Sequence, residues 1–340
     1  MSTHPTMQAI EYTGAGGREA VSVVELPVPT PGPGEVLVKV AAAGINRADL
    51  LQRAGNYPVP PGASSVPGLE VSGTIEETGA GVGPWEFGTP VCALLTGGGY
   101  AEYVTVPAGQ VVPVPDGVSL TDAAGLPEVA ATCWSNLAME AGVQAGEWVL
   151  VHGGTGGIGS FALQLLKGIG ARPLATAGGP EKVRRCLELG AEAAIDHRAE
   201  DFVERVREIT GGHGADVVLD VMGAKYLERN VEVLARGGRL VVIGLQGGAT
   251  GTLPLADLMG RNGSVTGTLL RPRPVAEKAE IMRRVREEVW PLVASGAIRT
   301  TTDATFPLER AAEAQDRFEA ADRTGKVLLV TEQHAAKAER

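Results

Sequence analysis

A glycine-rich stretch at residues 149–159 constrains the fold of this chain more than any other feature. It follows a short apolar run and leads into a segment whose apolar residues recur at helical spacing. Gly154, Gly156 and Gly159 fit G-x-G-x-x-G, in which the glycines allow a tight turn, close approach of backbone to a pyrophosphate, and close packing of helix on strand. This context predicts a dinucleotide site with the diphosphate at the helix N-terminus. The alternative is an ordinary turn in a chain with 47 glycines among 340 residues.

Strand and helix patterns continue to alternate after this stretch. Apolar runs, separated by helical patterns, lie at 174–176, 193–195, 217–221 and 240–243. Such alternation predicts an α/β fold of the Rossmann type, a doubly wound parallel sheet with helices on both faces. The residues before about 122 differ, because their short β-type runs lie between Gly and Pro clusters. That pattern is typical of a β-rich domain.

Composition excludes several classes of protein. The formal net charge is −10 and aromatic residues make up 4% of the chain, so nucleic-acid binding, which uses Lys, Arg and base stacking, is disfavoured. No apolar run approaches the ~18 residues of a membrane helix, and the N-terminal residues lack the pattern of a secretory signal. Cys92, Cys133 and Cys186 form no C-x-x-C pair. We therefore expect a cytoplasmic protein with no disulfide framework and no nucleic-acid or membrane partner.

The end of the second strand in the alternating region bears on the choice of cofactor. An NAD site usually places Asp or Glu there, where it accepts hydrogen bonds from the ribose hydroxyls. Residues 176–180 contain no acid, and Lys182 follows on the next helix. Because a carboxylate would repel a 2′-phosphate and a lysine attracts one, we predict NADPH rather than NADH. The alternative for Lys182 is a solvated surface lysine.

Together with motifs elsewhere, these residues make the chain similar to a known family. The further motifs are at 31–39, 44–53, 57–64, 66–70, 97–104 and 325–328. Over nearly its whole length the chain resembles the zinc-independent, zeta-crystallin-like quinone oxidoreductases of the medium-chain dehydrogenase/reductase superfamily. The resemblance implies a GroES-like β-rich catalytic domain at 1–122, a Rossmann domain at 123–268, and a C-terminal segment at 269–340 that returns to the catalytic domain. It also implies a homodimer.

Metal ligands are expected to be absent. Zinc-dependent relatives place Cys, then His-Glu, then Cys or Asp at three separated positions. The matching positions here are Asn46, Leu69 with Glu70 and, approximately, Glu128. An amide and an aliphatic side chain do not replace thiolate and imidazole, which are ligands that zinc prefers.

Without a metal, hydrogen bonds have to polarise the acceptor, or the acceptor has to be easy to reduce. The resemblance implies hydride transfer from NADPH to a quinone, with the protein positioning both partners and excluding water. Asn46 and Tyr57 match family positions at the substrate end of the nicotinamide. Asn46 would orient the substrate through its amide, and Tyr57 would donate a hydrogen bond or a proton, which could equally come from water. The plainer alternatives are a helix N-cap for Asn46 and a loop anchor for Tyr57.

The resemblance also implies a set of cofactor contacts. They are Gly154, Gly156, Gly157, Ile158 and Gly159 at the diphosphate, Gly178 and Lys182 near the 2′-phosphate, Gly223 and Gly244 along the nicotinamide path, and Thr268 to Leu270 nearby. Two positions depart from close relatives. His197 stands where they often have a tyrosine over the adenosine, and it could still stack or hydrogen-bond. Leu51 stands where some have a second active-site tyrosine, which makes the pocket more apolar.

Other functions fit the same sequence. A reductase of α,β-unsaturated carbonyls would share fold and cofactor and differ in where the hydride is delivered. A non-catalytic NADPH-binding or RNA-binding protein belongs to another class, although the acidic charge disfavours RNA. An inactive scaffold that keeps the fold is a third alternative.

Overall fold

The computed structural model of the chain describes residues 5–331. Residues 1–4, part of the stretch expected to lack a secretory signal, lie outside that range. Its strands are β1 (Thr6–Tyr12), β2 (Val21–Pro27), β3 (Glu35–Gly44), β4 (Glu70–Thr78), β5 (Pro90–Leu94), β6 (Tyr103–Pro107), β7 (Val111–Pro113), β8 (Trp148–His152), β9 (Arg172–Ala177), β10 (Ala193–Asp196), β11 (Ala215–Asp220), β12 (Leu234–Val242), β13 (Ser264–Gly267), β14 (Thr302–Pro307) and β15 (Lys326–Val330). Its α-helices are α1 (Arg47–Arg53), α2 (Leu120–Ala123), α3 (Pro127–Cys133), α4 (Gly157–Gly168), α5 (Pro180–Glu188), α6 (Phe202–Ile209), α7 (Leu227–Val233), α8 (Leu255–Arg261), α9 (Val275–Arg284), α10 (Trp290–Ala294) and α11 (Ala311–Glu319). Within 5–331 no helix combines the length and apolar character that a membrane span requires.

The chain separates into two compact units. The first contains the described residues of Met1–Ala131, together with Leu270–Ala294 and 300–331. The second contains Thr132–Leu269 and Ser295–Arg299. In sequence, therefore, the second unit is inserted into the first.

The second unit is built on a six-stranded parallel sheet. Its strand order is β10-β9-β8-β11-β12-β13. Counted within the unit, this is the order 3-2-1-4-5-6 of the doubly wound dinucleotide-binding fold. Every residue of the central strand β8 is buried, as expected for a parallel strand covered on both faces. The predicted Rossmann-type α/β fold is thus confirmed.

The first unit is rich in β-structure, as predicted. Its mixed sheet has the order β14-β15-β3-β4-β5-β7, and β6 also pairs with β3. Neighbouring strands are antiparallel except β14 and β15. Alternate valines of β3 face the core of this unit, where Val36, Val38 and Val40 pack in one cluster with Ile10 and Tyr100. These valines share one face because side chains alternate along a strand, although residues between them, such as Leu37, are buried as well.

Candidate functional site

The carboxyl ends of the six parallel strands in the second unit lie along one edge of the sheet. The loops that leave this edge carry nearly all the predicted cofactor residues. These are the glycine loop after β8, Gly178 and Lys182 after β9, His197 after β10, Gly223 after β11, Gly244 after β12 and Thr268 after β13. Leu270 is the exception, because it belongs to the first unit. Open α/β sheets bind their ligands at this edge.

The glycines of the loop after β8 differ in whether the surrounding protein leaves room for a side chain. A Cβ on Gly154 would lie 2.7 Å from Cys186 Sγ, and a Cβ on Gly159 would lie 2.2 Å from the carbonyl oxygen of Gly153. Both positions need glycine for close packing. A Cβ on Gly156 would meet only the Gly153 oxygen, at 3.4 Å, which is an ordinary contact. The protein therefore leaves open the space beside Gly156, where the sequence predicts a pyrophosphate.

The N-terminus of α4 offers free hydrogen-bond donors next to that space. Gly156 is its N-cap, and the first turn contains no acidic side chain. The backbone N–H groups of Gly157, Ile158 and Gly159 have no acceptor among residues 5–331. Free N–H groups and the positive end of the helix dipole make such a terminus a site for anions.

His152, the last residue of β8, holds the ends of neighbouring elements together. Its Nδ1 lies 3.0 Å from Thr176 Oγ1 and its Nε2 lies 2.7 Å from Asn230 Oδ1. The ring also makes edge contacts with Phe202 and Tyr226. Burial lowers the pKa of His152 to about 4, so the ring is neutral at pH 7. No role for His152 was expected from the sequence, although a polar residue that ends a fully buried strand was a signal.

The loop after β9 is lined by basic side chains. A Cβ on Gly178 would lie 2.9 Å from Arg198 Nε and 3.2 Å from His197 Nε2. Lys182 lies in the first turn of α5. The predicted residues Gly178, Lys182 and His197 therefore belong to one basic loop region, to which the structure adds Arg198.

The loops after β11 and β12 pack against each other. A Cβ on Gly223 would lie 3.2 Å from the carbonyl oxygen of Gly244. The Asp220 carboxylate accepts the Gly223 N–H at 2.8 Å. Beyond β13, Thr268 Oγ1 donates to Asn136 Oδ1 at 2.6 Å. Gly223 and Gly244 are therefore brought together, and Thr268 is fixed by a partner that sequence reasoning did not find.

In the first unit, Asn46 is part of a polar network. Its Nδ2 donates to Glu70 Oε1 at 2.9 Å, and its Oδ1 accepts from Lys326 Nζ at 2.7 Å. Lys326 also donates to Glu70, whose other oxygen accepts the Glu128 N–H at 2.9 Å. Glu70 is fully buried. A Cβ on Gly44 would lie 2.2 Å from Glu70 Oε1, so only glycine admits the carboxylate so close to β3.

Asn46 also stands at the start of a helix, as the N-cap alternative predicted. It is the N-cap residue of α1, and its backbone N–H donates to Asp49 Oδ2 at 2.8 Å. Its side-chain amide meanwhile bonds to Glu70 and Lys326. A place at the helix start and a place in the polar network are thus compatible.

Tyr57 lies beside a buried arginine that sequence reasoning missed. Arg271 Cζ is 5.4 Å from the centre of the Tyr57 ring. Only 3% of Arg271 is exposed. Its Nε donates to the Thr96 carbonyl at 2.8 Å, while both Nη atoms are buried and have no hydrogen-bond partner among residues 5–331. Buried donors without acceptors are costly, so this guanidinium is suited to bind an oxygen of a ligand. Arg271 and Arg273 alternate with prolines at residues 271–274, and this stretch gave no helix or strand period.

The protonation of two groups near this network follows from their surroundings. Burial and the neighbouring Glu70 carboxylate raise the pKa of Glu128 to about 8, so its carboxyl is largely protonated at pH 7. Burial also raises the pKa of Tyr57, whose hydroxyl makes no hydrogen bond to the residues that the structure describes. Both groups are therefore neutral donors at pH 7.

The residues at the three metal-ligand positions do not fit zinc. Asn46 offers an amide, Leu69 is a buried aliphatic side chain, and Glu70 is already paired with the Lys326 ammonium. Glu128 offers a carboxyl, which zinc can accept, but its pKa of about 8 keeps it largely protonated at pH 7. Over residues 5–331 there is no group of three or more His, Cys, Asp or Glu that could hold a metal ion. A reaction without metal stays a prediction.

Two protein-family profiles match the chain: the alcohol dehydrogenase GroES-like domain at residues 32–116 and the zinc-binding dehydrogenase at residues 157–287. The quinone oxidoreductase of Rattus norvegicus is 30% identical over 330 residues, covering 95% of this chain and 98% of the relative. The structure of Escherichia coli quinone oxidoreductase complexed with NADPH is 31% identical, with a TM-score of 0.84, and covers 96% of this chain and 100% of that one. An NAD-dependent alcohol dehydrogenase structure is 32% identical, with a TM-score of 0.84 over 95% of this chain and 99% of that one.

The similarity to the rat relative extends over nearly the full length of both chains. It agrees with the Rossmann strand order and with the motifs that carried the resemblance. The chain belongs to the quinone oxidoreductase family of the medium-chain dehydrogenase/reductase superfamily.

Proposed function

We propose that the chain is an NADPH-dependent quinone oxidoreductase that works without a metal. The observation that carries this proposal is the carboxyl edge of the parallel sheet, with its free N–H groups at α4 and its open space beside Gly156. The basic side chains around Gly178 support a cofactor that carries a 2′-phosphate. The NADPH in the Escherichia coli structure supports the same cofactor, and the names of that protein and of the rat relative support a quinone.

The first unit supplies the donors for the acceptor. Bound NADPH would supply a hydride, which leaves negative charge on the acceptor oxygen. The two unpaired Nη groups of Arg271 and the Tyr57 hydroxyl are suited to stabilise that charge. Asn46 would orient the acceptor through its second amide N–H, which is only weakly held, 3.4 Å from the Gly44 carbonyl oxygen. These donors replace the Lewis acid that zinc supplies in other members of the superfamily.

The reduced acceptor also needs a proton. The Tyr57 phenol stays protonated at neutral pH, because burial raises its pKa. The Glu128 carboxyl is a second source that the sequence analysis did not consider as a donor, since its pKa of about 8 keeps it largely protonated. Water is a third source, and the Tyr57 variant below separates it from the phenol.

The test is steady-state oxidation of NADPH with an ortho-quinone and with a short alkenal. We expect turnover of the quinone, and a kcat that falls roughly 10- to 100-fold in Tyr57→Phe because one donor to the oxyanion is lost. The matched control is Tyr103→Phe, a half-buried tyrosine of β6 in the same unit, which should leave kcat unchanged.

Two outcomes would contradict this proposal. Reduction of the alkenal without turnover of any quinone would favour the α,β-unsaturated carbonyl reductase instead. An unchanged kcat in Tyr57→Phe would remove Tyr57 from the reaction and leave Glu128 or water as the proton source.

The homodimer and the cytoplasmic location stay predictions. β13 is an edge strand of the parallel sheet, and the adjoining α8 exposes Leu255 and Met259, which are 62% and 79% accessible. An open strand edge beside exposed apolar side chains suits pairing with a second copy of the chain. The three cysteines are all free and buried, in keeping with a reducing compartment.

A further inference from the structure

We propose that Arg198 is a specificity-determining residue that binds the 2′-phosphate of the cofactor. The inference rests on the proposed function, because it requires a dinucleotide at the glycine loop. It extends that function to the group that separates NADPH from NADH. No motif in the sequence indicated Arg198, and its role follows from where the fold places its side chain.

The guanidinium of Arg198 lies across the pair of glycines that follows β9. Its Nε would be 2.9 Å from a Cβ on Gly178, and its Nη1 would be 3.7 Å from a Cβ on Gly179. This is the end of the second strand, where an NAD site carries an acid for the ribose hydroxyls. Here the positively charged guanidinium of Arg198 lies at this strand end, and residues 176–180 contain no acid.

The backbone that carries Arg198 is held in place. Asp196 Oδ1 accepts the N–H of Gly179 at 2.9 Å and the N–H of Arg198 at 3.0 Å. One carboxylate oxygen thus ties the loop after β10 to the loop after β9. The backbone from which the Arg198 side chain extends is therefore fixed, which lowers the entropic cost of ordering this loop around a ligand.

The Arg198 guanidinium also keeps its hydrogen-bond donors free among residues 5–331, although its charge helps to lower the pKa of the nearby Asp196. Some other exposed arginines are held in ion pairs, as Arg172 is with Glu192 and Arg205 with Glu200. Glu200 is the next acid after Arg198 in the chain, and it pairs with Arg205 rather than with Arg198. Arg198 forms no ion pair or side-chain hydrogen bond within the described part of the chain. A guanidinium with free donors binds phosphate oxygens bidentately.

Lys182 adds a second positive charge to the same region. It lies in the first turn of α5, three residues after Gly179, the N-cap of that helix. An ammonium binds phosphate as a point charge, whereas the planar guanidinium sets direction. The combination fits a phosphate monoester on the ribose better than two hydroxyl groups, which need an acceptor.

The experiment compares the binding of 2′,5′-ADP and 5′-AMP to the full chain by isothermal titration calorimetry at one salt concentration. These probes differ by the 2′-phosphate and need neither substrate nor turnover. Arg198→Gln should weaken 2′,5′-ADP by roughly tenfold or more and change 5′-AMP by less than about twofold. The matched control is Arg236→Gln, an exposed arginine near the amino end of β12 in the same sheet. It removes the same charge and should change neither affinity.

The outcomes separate this inference from the proposed function. Equal weakening of both probes by Arg198→Gln, or no weakening of either, would overturn the role of Arg198 while leaving cofactor binding intact. A wild-type chain that binds neither probe would overturn the proposed function, and this inference with it.

Gly178→Asp provides an independent check. It puts a carboxylate where NAD sites carry one, so 2′,5′-ADP should bind more weakly while 5′-AMP is retained. The new Cβ would meet only flexible ends of side chains, so the fold should tolerate it. An unchanged affinity for 2′,5′-ADP in Gly178→Asp would contradict a 2′-phosphate site at this glycine.

Discussion

Burial and neighbouring charges set the protonation of individual residues in the first unit. Glu70 is fully buried and paired with Lys326, and the nearby Glu128 keeps its proton up to a pKa of about 8. Burial likewise raises the pKa of Asp49 to about 6, although the Tyr100 hydroxyl donates to it at 2.8 Å. In a medium of low polarity a second negative charge beside the first is unfavourable. The polar network therefore holds one paired carboxylate and one neutral carboxyl that can donate.

In the second unit, His152 should make stability depend on pH on the acid side. Its pKa is about 4 in the folded protein against 6.5 for an ordinary histidine. Between these values the unfolded state binds more protons, so the free energy of unfolding falls as the pH drops from 6.5 towards 4. Above pH 6.5 this residue contributes no pH dependence. The full loss amounts to about 3 kcal/mol.

Urea unfolding of the wild type and of His152→Gln between about pH 7.5 and about pH 4.5 measures this effect. These limits lie on either side of the pKa of an ordinary histidine. We expect the variant to lose less stability over that range. Asp49 and Glu128 act in the opposite direction, because their raised pKa values cost stability as the pH rises, but they are common to both proteins and cancel in the difference. The same pH dependence in both proteins would show that His152 is not the source.

At the scale of residues, the sequence could identify positions but not their surroundings. Asn46 and Tyr57 were found through motifs that surround them in the chain. Arg198 and Arg271 were not found, because Arg198 is a single arginine in a loop and Arg271 lies with Arg273 in a proline-rich stretch without a helix or strand period. Their relevance comes from burial, from the atoms next to them and from unused donors, all of which depend on contacts between distant residues.

Among the elements, the strand, loop and helix from β8 to α4 were the most predictable. Buried-strand composition, glycine spacing and helical spacing all point to the same structure there, and such agreement between levels is what specifies a fold. β13 was not predicted, since Ser264–Gly267 contains a single large apolar residue, Val265. An exposed edge strand of this length shows no apolar run. Its place follows from pairing with β12 rather than from its own residues.

The glycines of this loop predict a separation between stability and binding. Gly159→Ala should lower the free energy of unfolding by about 2 kcal/mol or more, because its Cβ would overlap the Gly153 carbonyl. Gly156→Ala should leave stability within about 0.5 kcal/mol and weaken NADPH roughly tenfold, since only the diphosphate needs that space.

Denaturant unfolding without cofactor and fluorescence titration with NADPH measure the two effects. Each glycine variant serves as the control for the other, because both add one methyl group to the same loop. Wild-type affinity for NADPH in Gly156→Ala would mean that the diphosphate does not approach the loop at this point.

In the whole molecule, residues assigned to the proposed chemistry occur in both units. The second unit presents free N–H groups and basic side chains at the carboxyl edge of its sheet, and the first presents Asn46, Tyr57 and Arg271. The fold class could be predicted because β–α alternation has few solutions. The domain bounds stay a prediction. α2 begins at Leu120, so the change of pattern near residue 122 marks the first helix after the β-rich part.

We propose that backbone donors of the glycine loop bind NADPH and that no metal takes part in the hydride transfer. The most direct measurement is NADPH oxidation with an ortho-quinone by the metal-depleted chain, with and without added Zn²⁺, after titration with NADPH and with NADH. We predict tighter binding of NADPH than of NADH and a rate that neither chelation nor zinc changes. A chain that bound neither reduced nucleotide, or that lost turnover on chelation and regained it with zinc, would contradict the claim.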